Sequence, residues 1–181
     1  MEGSARASPN SQGYMGYFYD VHCKRCGYEQ AKYRGDGAFY AYLLDEGSTL
    51  SVPYVPAWCH HCRAVVHAEE LPEVIALERQ VREWQASSLD DSIRTWHLEW
   101  LASEIAWRSK RRSPAKCLVC GSTDIVRGSL GGGVLHPGCG YRMPLKLSGH
   151  YSLMEPLMQW LYSPEGEALG RQAELTRRGR A

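Results

Sequence analysis

The sequence predicts an α+β protein, two small β modules flanking a helical segment, with a short C-terminal helical tail. Three observations carry this expectation. Aromatic and β-branched runs, broken by turn-forming residues, fill positions 17–66 and recur from 117 to about 147. Between them, apolar residues recur at helical spacing. Four pairs of Cys or His, each with a two-residue gap, are shared two and two between the β-like stretches.

The first β stretch, "GYFYDVHC", is a strand that runs into a Cys pair. "GAFYAYLL" and "TLSVPYV" follow, separated by "DEGS", and read as a hairpin. From Leu71 the character changes. Val74, Leu77, Val81 and Trp84 form one helical face, after Pro72, which suits a helix start. "SSLDDS" supplies capping residues, and a second helix runs through "SIRTWHLEWLASEIAWRSKRR" to Pro114. Its Trp96, Trp100 and Trp107 lie on one side and Leu98, Leu101 and Ile105 on another. From Cys117 the chain is again Gly-rich and β-like, with "GSLGGG" at a hairpin tip. "LMEPLMQWLY" and "SPEGEALGRQAELTRR" read as two short tail helices, the second opened by Ser163. The expected organisation is a disordered tail over 1–16, a β module over 17–70, helices over 71–114, a second β module over 115–148 and a helical tail over 149–181.

Composition narrows the class. The 181 residues are 44% apolar, with two Phe against eleven Tyr and six Trp, a usage that suits thin cores and amphipathic surfaces. The net charge of +1 gives no global attraction to nucleic acid or membrane. Residues 111–181 alone are basic, with 10 cationic and 5 acidic side chains. No run approaches the ~18 apolar residues of a membrane span. The first residues lack the apolar core of a signal peptide. A cytoplasmic protein with no membrane role is expected, and in a reducing cytosol paired cysteines read as metal ligands.

The pairs are Cys23 and Cys26, Cys59 and Cys62, Cys117 and Cys120, and His136 and Cys139. They use all seven cysteines and one histidine, which makes two tetrahedral sets with none left over. Thiolate and imidazole in fours suit zinc, so two zinc ions per chain are expected. The two-residue gap aims both side chains at one metal. A Gly after the second ligand lets the chain leave in a left-handed conformation. Gly27, Gly121 and Gly140 hold that place and Arg63 the fourth. Sequential sharing places Cys23, Cys26, Cys59 and Cys62 around one ion and Cys117, Cys120, His136 and Cys139 around the other. The crossed alternative joins pairs across the helical segment.

With "CKRCGY…CHHC" and "CLVCGS…HPGCGY" the chain resembles the zinc-ribbon superfamily twice, over roughly 17–66 and 115–147. The resemblance implies structural zinc. It departs from the pattern in the 32 residues between the first two pairs, in Arg63, and in His136 where Cys is commoner.

Other chemistries fit less well. A thioredoxin-like pair needs a helix start in a βαβ setting, and haem attachment needs His directly after the second Cys. A catalytic zinc keeps an open position, and no nucleophile or phosphate-loop motif is present, so no enzymatic activity is expected. The expected function is a zinc-stabilised interaction module or adaptor, which binds a protein partner or a second copy through Trp96, Trp100 and Trp107. The alternative is a nucleic-acid-binding or transcription-associated factor that contacts phosphates through Arg127, Arg142 and Lys146.

Overall fold

In the computed structural model, residues 14–35, 40–44, 47–153 and 159–171 are described. Six strands come first: β1 (Tyr14–His22), β2 (Glu29–Arg34), β3 (Tyr40–Leu43), β4 (Thr49–Ser51), β5 (Tyr54–Cys59) and β6 (Ala64–Glu69). Two helices follow, α1 (Val74–Gln85) and α2 (Asp91–Lys110). Six more strands follow among the described residues: β7 (Ile125–Arg127), β8 (Val134–His136), β9 (Tyr141–Met143), β10 (Leu145–Leu153), β11 (Trp160–Tyr162) and β12 (Ala168–Arg171). No helix among the described residues is long and apolar enough to cross a membrane.

The strands form small sheets in the orders β10-β1-β2, β12-β11-β3-β4, β6-β5-β7 and β8-β9. Three of the four mix early and late strands. β10 runs antiparallel to β1 from Tyr14↔Leu153 to Val21↔Leu145, β7 joins β5 with Cys59 opposite Ile125, and β11 lies parallel to β3. A bulge breaks the β1–β2 register after Tyr19. There Lys32 has φ 56°, and its amide donates to the Asp20 carboxylate at 3.0 Å.

The β3–β4 hairpin and both helices lie where the sequence puts them. Gly47 takes φ 79° in the hairpin turn. Asp90 caps α2, its carboxylate accepting the Ser92 amide at 2.8 Å. The helices face each other through Trp84 stacked on His97, ring centroids 3.7 Å apart. "GSLGGG" is a tip, closed by a bridge between Ser129 and Gly133, with Gly133 at φ 73°.

The C-terminal tail is not helical where it is described. Leu145–Leu153, Trp160–Tyr162 and Ala168–Arg171 are strands, and Ser163–Pro164–Glu165 is the turn between the last two. The Ser163 hydroxyl accepts the Glu167 amide, four residues on rather than the two or three of a helix cap, its own amide donates to the Glu167 carbonyl, and the chain continues into β12 because strand pairing with β11 overrides the local signal. Residues 154–158 and 172–181 of the expected tail helices lie outside the described residues, as do 1–13 of the N-terminal tail. Residues 14–16, also assigned to that tail, belong to β1.

Two apolar clusters form the core. Val21, Cys23, Tyr33, Trp58, Val65, Val134 and Met143 join β1, β2, β5, β6, β8 and β9. Tyr42, Leu50, Val52, Trp107, Leu118 and Tyr162 join the β3–β11 sheet to α2. Beside the second cluster lies a fully buried ion pair, in which Arg111 donates to Glu69 at 2.7 Å. Glu69 also accepts from the Tyr42 hydroxyl and the Lys116 amide, both at 2.8 Å. Arg111 also donates to the Pro164 carbonyl. With these added hydrogen bonds the buried charges are satisfied, and the pair ties β6, the end of α2 and the β11–β12 turn together.

Candidate metal centres

All four paired motifs fold into the same turn. The amide of the residue after each second ligand donates to the carbonyl of the first: Gly27 to Cys23, Arg63 to Cys59, Gly121 to Cys117 and Gly140 to His136. Gly27, Gly121 and Gly140 take φ of 76°, 74° and 70°. Arg63 takes φ 53°, so the turn imposes the left-handed conformation even on a residue with a Cβ. Amides of Cys62 and Val119 point at the sulfurs of Cys59 and Cys117, 3.4 Å away in each case.

The structure brings the eight residues together in two groups of four, and the sharing is nested rather than sequential. Cys23, Cys26, His136 and Cys139 form one group and Cys59, Cys62, Cys117 and Cys120 the other, with ligand atoms within 4.8 Å of one another. Long-range strand pairing causes this. β7 on β5 sets the third turn beside the second, helped by a bridge between Ala68 and Cys117. β10 on β1 ends at Val21↔Leu145 and so delivers the β8–β9 turn to the β1–β2 turn. Arg25 then donates to the Cys139 carbonyl at 2.8 Å. One trace of the outer partnership is in the sequence: both outer pairs end in Cys-Gly-Tyr, and Tyr28 stacks on His136 with centroids 5.4 Å apart.

The distances decide what the groups can do. In the outer group, Cys23 and Cys139 sulfurs are 3.3 Å apart, and His136 Nδ1 lies 3.3 Å from Cys26 and 3.2 Å from Cys139. In the inner group, Cys59–Cys120 is 3.6 Å and Cys62–Cys117 is 3.9 Å. A disulfide needs ~2.05 Å. A tetrahedron of thiolates at ~2.3 Å from a central ion puts sulfurs about 3.8 Å apart. The spacing therefore fits four ligands around an ion, and each group could hold one. Burial raises the thiol pKa of both Cys62 and Cys117, that of Cys117 to about 11. Cys62 and Cys117 therefore hold their protons as free thiols, whereas at Cys23 and Cys120 hydrogen bonds outweigh burial and lower the pKa, that of Cys23 to about 7; a dication in their midst favours the thiolate at every position.

The other histidines stand apart from both groups. His60 and His61 are exposed in their turn, His22 pairs with Glu29 at 3.7 Å, and His150 is exposed on β10. His67 is buried, donating to or accepting from Tyr40 at 3.0 Å and bonding the Arg34 carbonyl at 2.6 Å.

The three tryptophans proposed as a contact surface separate. Trp107 is core: it is 4% exposed, stacks on Tyr42 at 4.4 Å and donates its indole N–H to the Pro164 carbonyl. Trp100 is half-buried against the same cluster, and Trp96 is 61% exposed. Exposed Leu89 and Ile93 extend the Trp96 surface toward the start of α2. Arg127, Arg142 and Lys146 are all exposed, but they sit on β7, β9 and β10, in three different sheets.

Searches against protein-family models, curated proteins and solved structures find no match to the chain.

Proposed function

We propose that this chain is a zinc-stabilised, non-enzymatic interaction protein, in which two structural zinc ions clamp a thin β framework that presents an α-helical hairpin. The observation that carries the reading is the closure of both ligand groups. Each has four ligand atoms at tetrahedral spacing, and the two use every cysteine in the chain. A site with four protein ligands has no position for a substrate or an activated water. Zinc is the ion of choice because Cys₄ and Cys₃His sets match its ligand preference and geometry. The ribbon resemblance supports the same role. The exposed Leu89, Ile93 and Trp96 support a protein contact.

Native mass spectrometry of the purified chain tests the metal part. Two zinc ions per chain are expected; one ion, or iron in both sites, overturns it. Salt titration of bound partners tests the interaction part. Contacts with protein are expected to survive salt that strips nucleic acid, whose phosphate-driven affinity falls by orders of magnitude between 50 and 200 mM.

A further inference from the structure

One face of α2 and the β3–β4 hairpin enclose a groove that the core leaves open. Two adjoining cavities of about 250 and 220 Å³ share Leu44 and Ser103 in their walls. The first is bounded by Ser48, Thr49 and Leu50 on one side and Trp96, Glu99 and Trp100 on the other. The second continues along α2 to Lys110 and Pro164. From Trp96 to Lys110 the helix rises about 21 Å. An extended chain of about six residues covers that length.

The strand wall of this groove is a sheet edge. β4 pairs with β3 alone among the described residues. The register fixes which backbone groups are free. Leu44 donates to Ser48 and Val52 to Tyr40, so 44:48 and 40:52 are hydrogen-bonded pairs, and Tyr42:Leu50, midway between them, is the third. Thr49 and Ser51 fall at the alternate positions, and their N–H and C=O groups therefore point away from β3. Both residues are exposed. Four backbone groups thus face outward beside a trough in which Leu44, Leu50, Trp96 and Trp100 are interspersed with polar side chains, and an outward edge of this kind accepts an added strand. A three-residue edge gives few hydrogen bonds, so the side-chain contacts must supply the rest.

Those contacts have a sign. Glu99 lines the end at Trp96. The exposed Trp96 ring adds a surface that favours a cation. Trp100 and Leu44 form an apolar floor next to it.

We infer that the groove between β4 and α2 docks an extended segment of a partner protein, added as a strand to β4. The segment places a Lys or Arg against Glu99 and Trp96 and, two residues away on the same face, an aliphatic or aromatic side chain over Trp100 and Leu44. This rests on the interaction reading above and names its site.

The test uses a random octapeptide library displayed on phage, selected against the zinc-loaded full chain, followed by affinity measurements on a fluorescent synthetic copy of an enriched peptide. Ser51→Pro removes one outward N–H, and its position on an open edge tolerates Pro. Glu99→Lys reverses the sign of the trough. Enriched peptides are expected to share the cation–x–apolar pattern and to bind each variant at least tenfold more weakly, with zinc content and melting temperature unchanged. If Ser51→Pro melts early, Glu99→Lys decides alone. The proposal is overturned if no common pattern emerges. It is also overturned if the chain is itself a dimer that Ser51→Pro dissociates. Peptides whose binding ignores both Ser51 and Glu99 overturn this groove but leave the interaction reading standing.

Discussion

Glu104 is a carboxyl buried without an adequate partner, and it makes the stability of this protein depend on pH in a calculable direction. It lies on the inner face of α2 with Leu101 and Trp107, is 2% exposed, and its Oε2 has no hydrogen-bond partner. The cation one turn along, Arg108, is committed to the Pro72 carbonyl. Burial, with the charge of Glu70 added, pushes its pKa from 4.5 up to about 7. Below about pH 4.5 folded and unfolded chains both carry the proton, and the stability is present in full. As pH rises the unfolded chain ionises first, and stability is lost until the folded pKa near 7 is passed. At 1.36 kcal/mol per unit, the loss reaches about 3 kcal/mol. Glu104→Gln keeps the shape of the protonated acid and removes the titration. Paired urea melts of the zinc-saturated wild type and variant are expected to show the variant more stable at pH 8 by up to that amount. The advantage should shrink to roughly half at pH 5.5. Both proteins share the same metal ligands, so metal-linked protonation cancels in the difference. A stability difference that does not change with pH would refute the reasoning.

Two further predictions concern the clamps and the buried pair. Cys26→Ser should leave one metal per chain, held by four thiolates, and Cys120→Ser should leave the site with His136. Cobalt substitution distinguishes them by the intensity of sulfur-to-metal absorption, and sequential sharing would give the opposite assignment. Arg111→Met should destabilise by about 3–5 kcal/mol, because it strands Glu69 without its cation; adding Glu69→Met should recover part of the loss, and thermal melts of the wild type and the two variants read it directly.

The elements that depend on nearby residues were legible in the sequence. α1 and α2 follow from apolar spacing and from Asp90, and the four ligand turns follow from the two-residue gap and the glycine after it. Arg63 shows that the turn itself, rather than the glycine, is what the ligand pair requires. What the sequence concealed depends on partners far along the chain. The sharing of ligands is decided by β10 on β1 and β7 on β5, and neither pairing leaves a local periodicity. The same is true of the tail, where Ser163 and Pro164 carry a genuine helix-start signal that sheet pairing overrules. The burial of Trp107 was hidden because a helical wheel shows which residues share a side, but not that the stack on Tyr42 and the Pro164 carbonyl would claim one of the three tryptophans.

The nested clamps also set a timetable for synthesis. With sequential sharing, a growing chain could bind its first ion once Cys62 had emerged. With the observed sharing, no four-ligand set exists until Cys120 has been made, and the outer one waits for Cys139. At ~5–20 residues per second, the 58 residues from Cys62 to Cys120 take on the order of 3–12 s, during which four thiols are exposed without their partners. The nascent chain thus passes through a period in which stray oxidation or a foreign metal can capture half a site. Loading both sites would require those thiols to stay reduced until the late half of the chain arrives to close them.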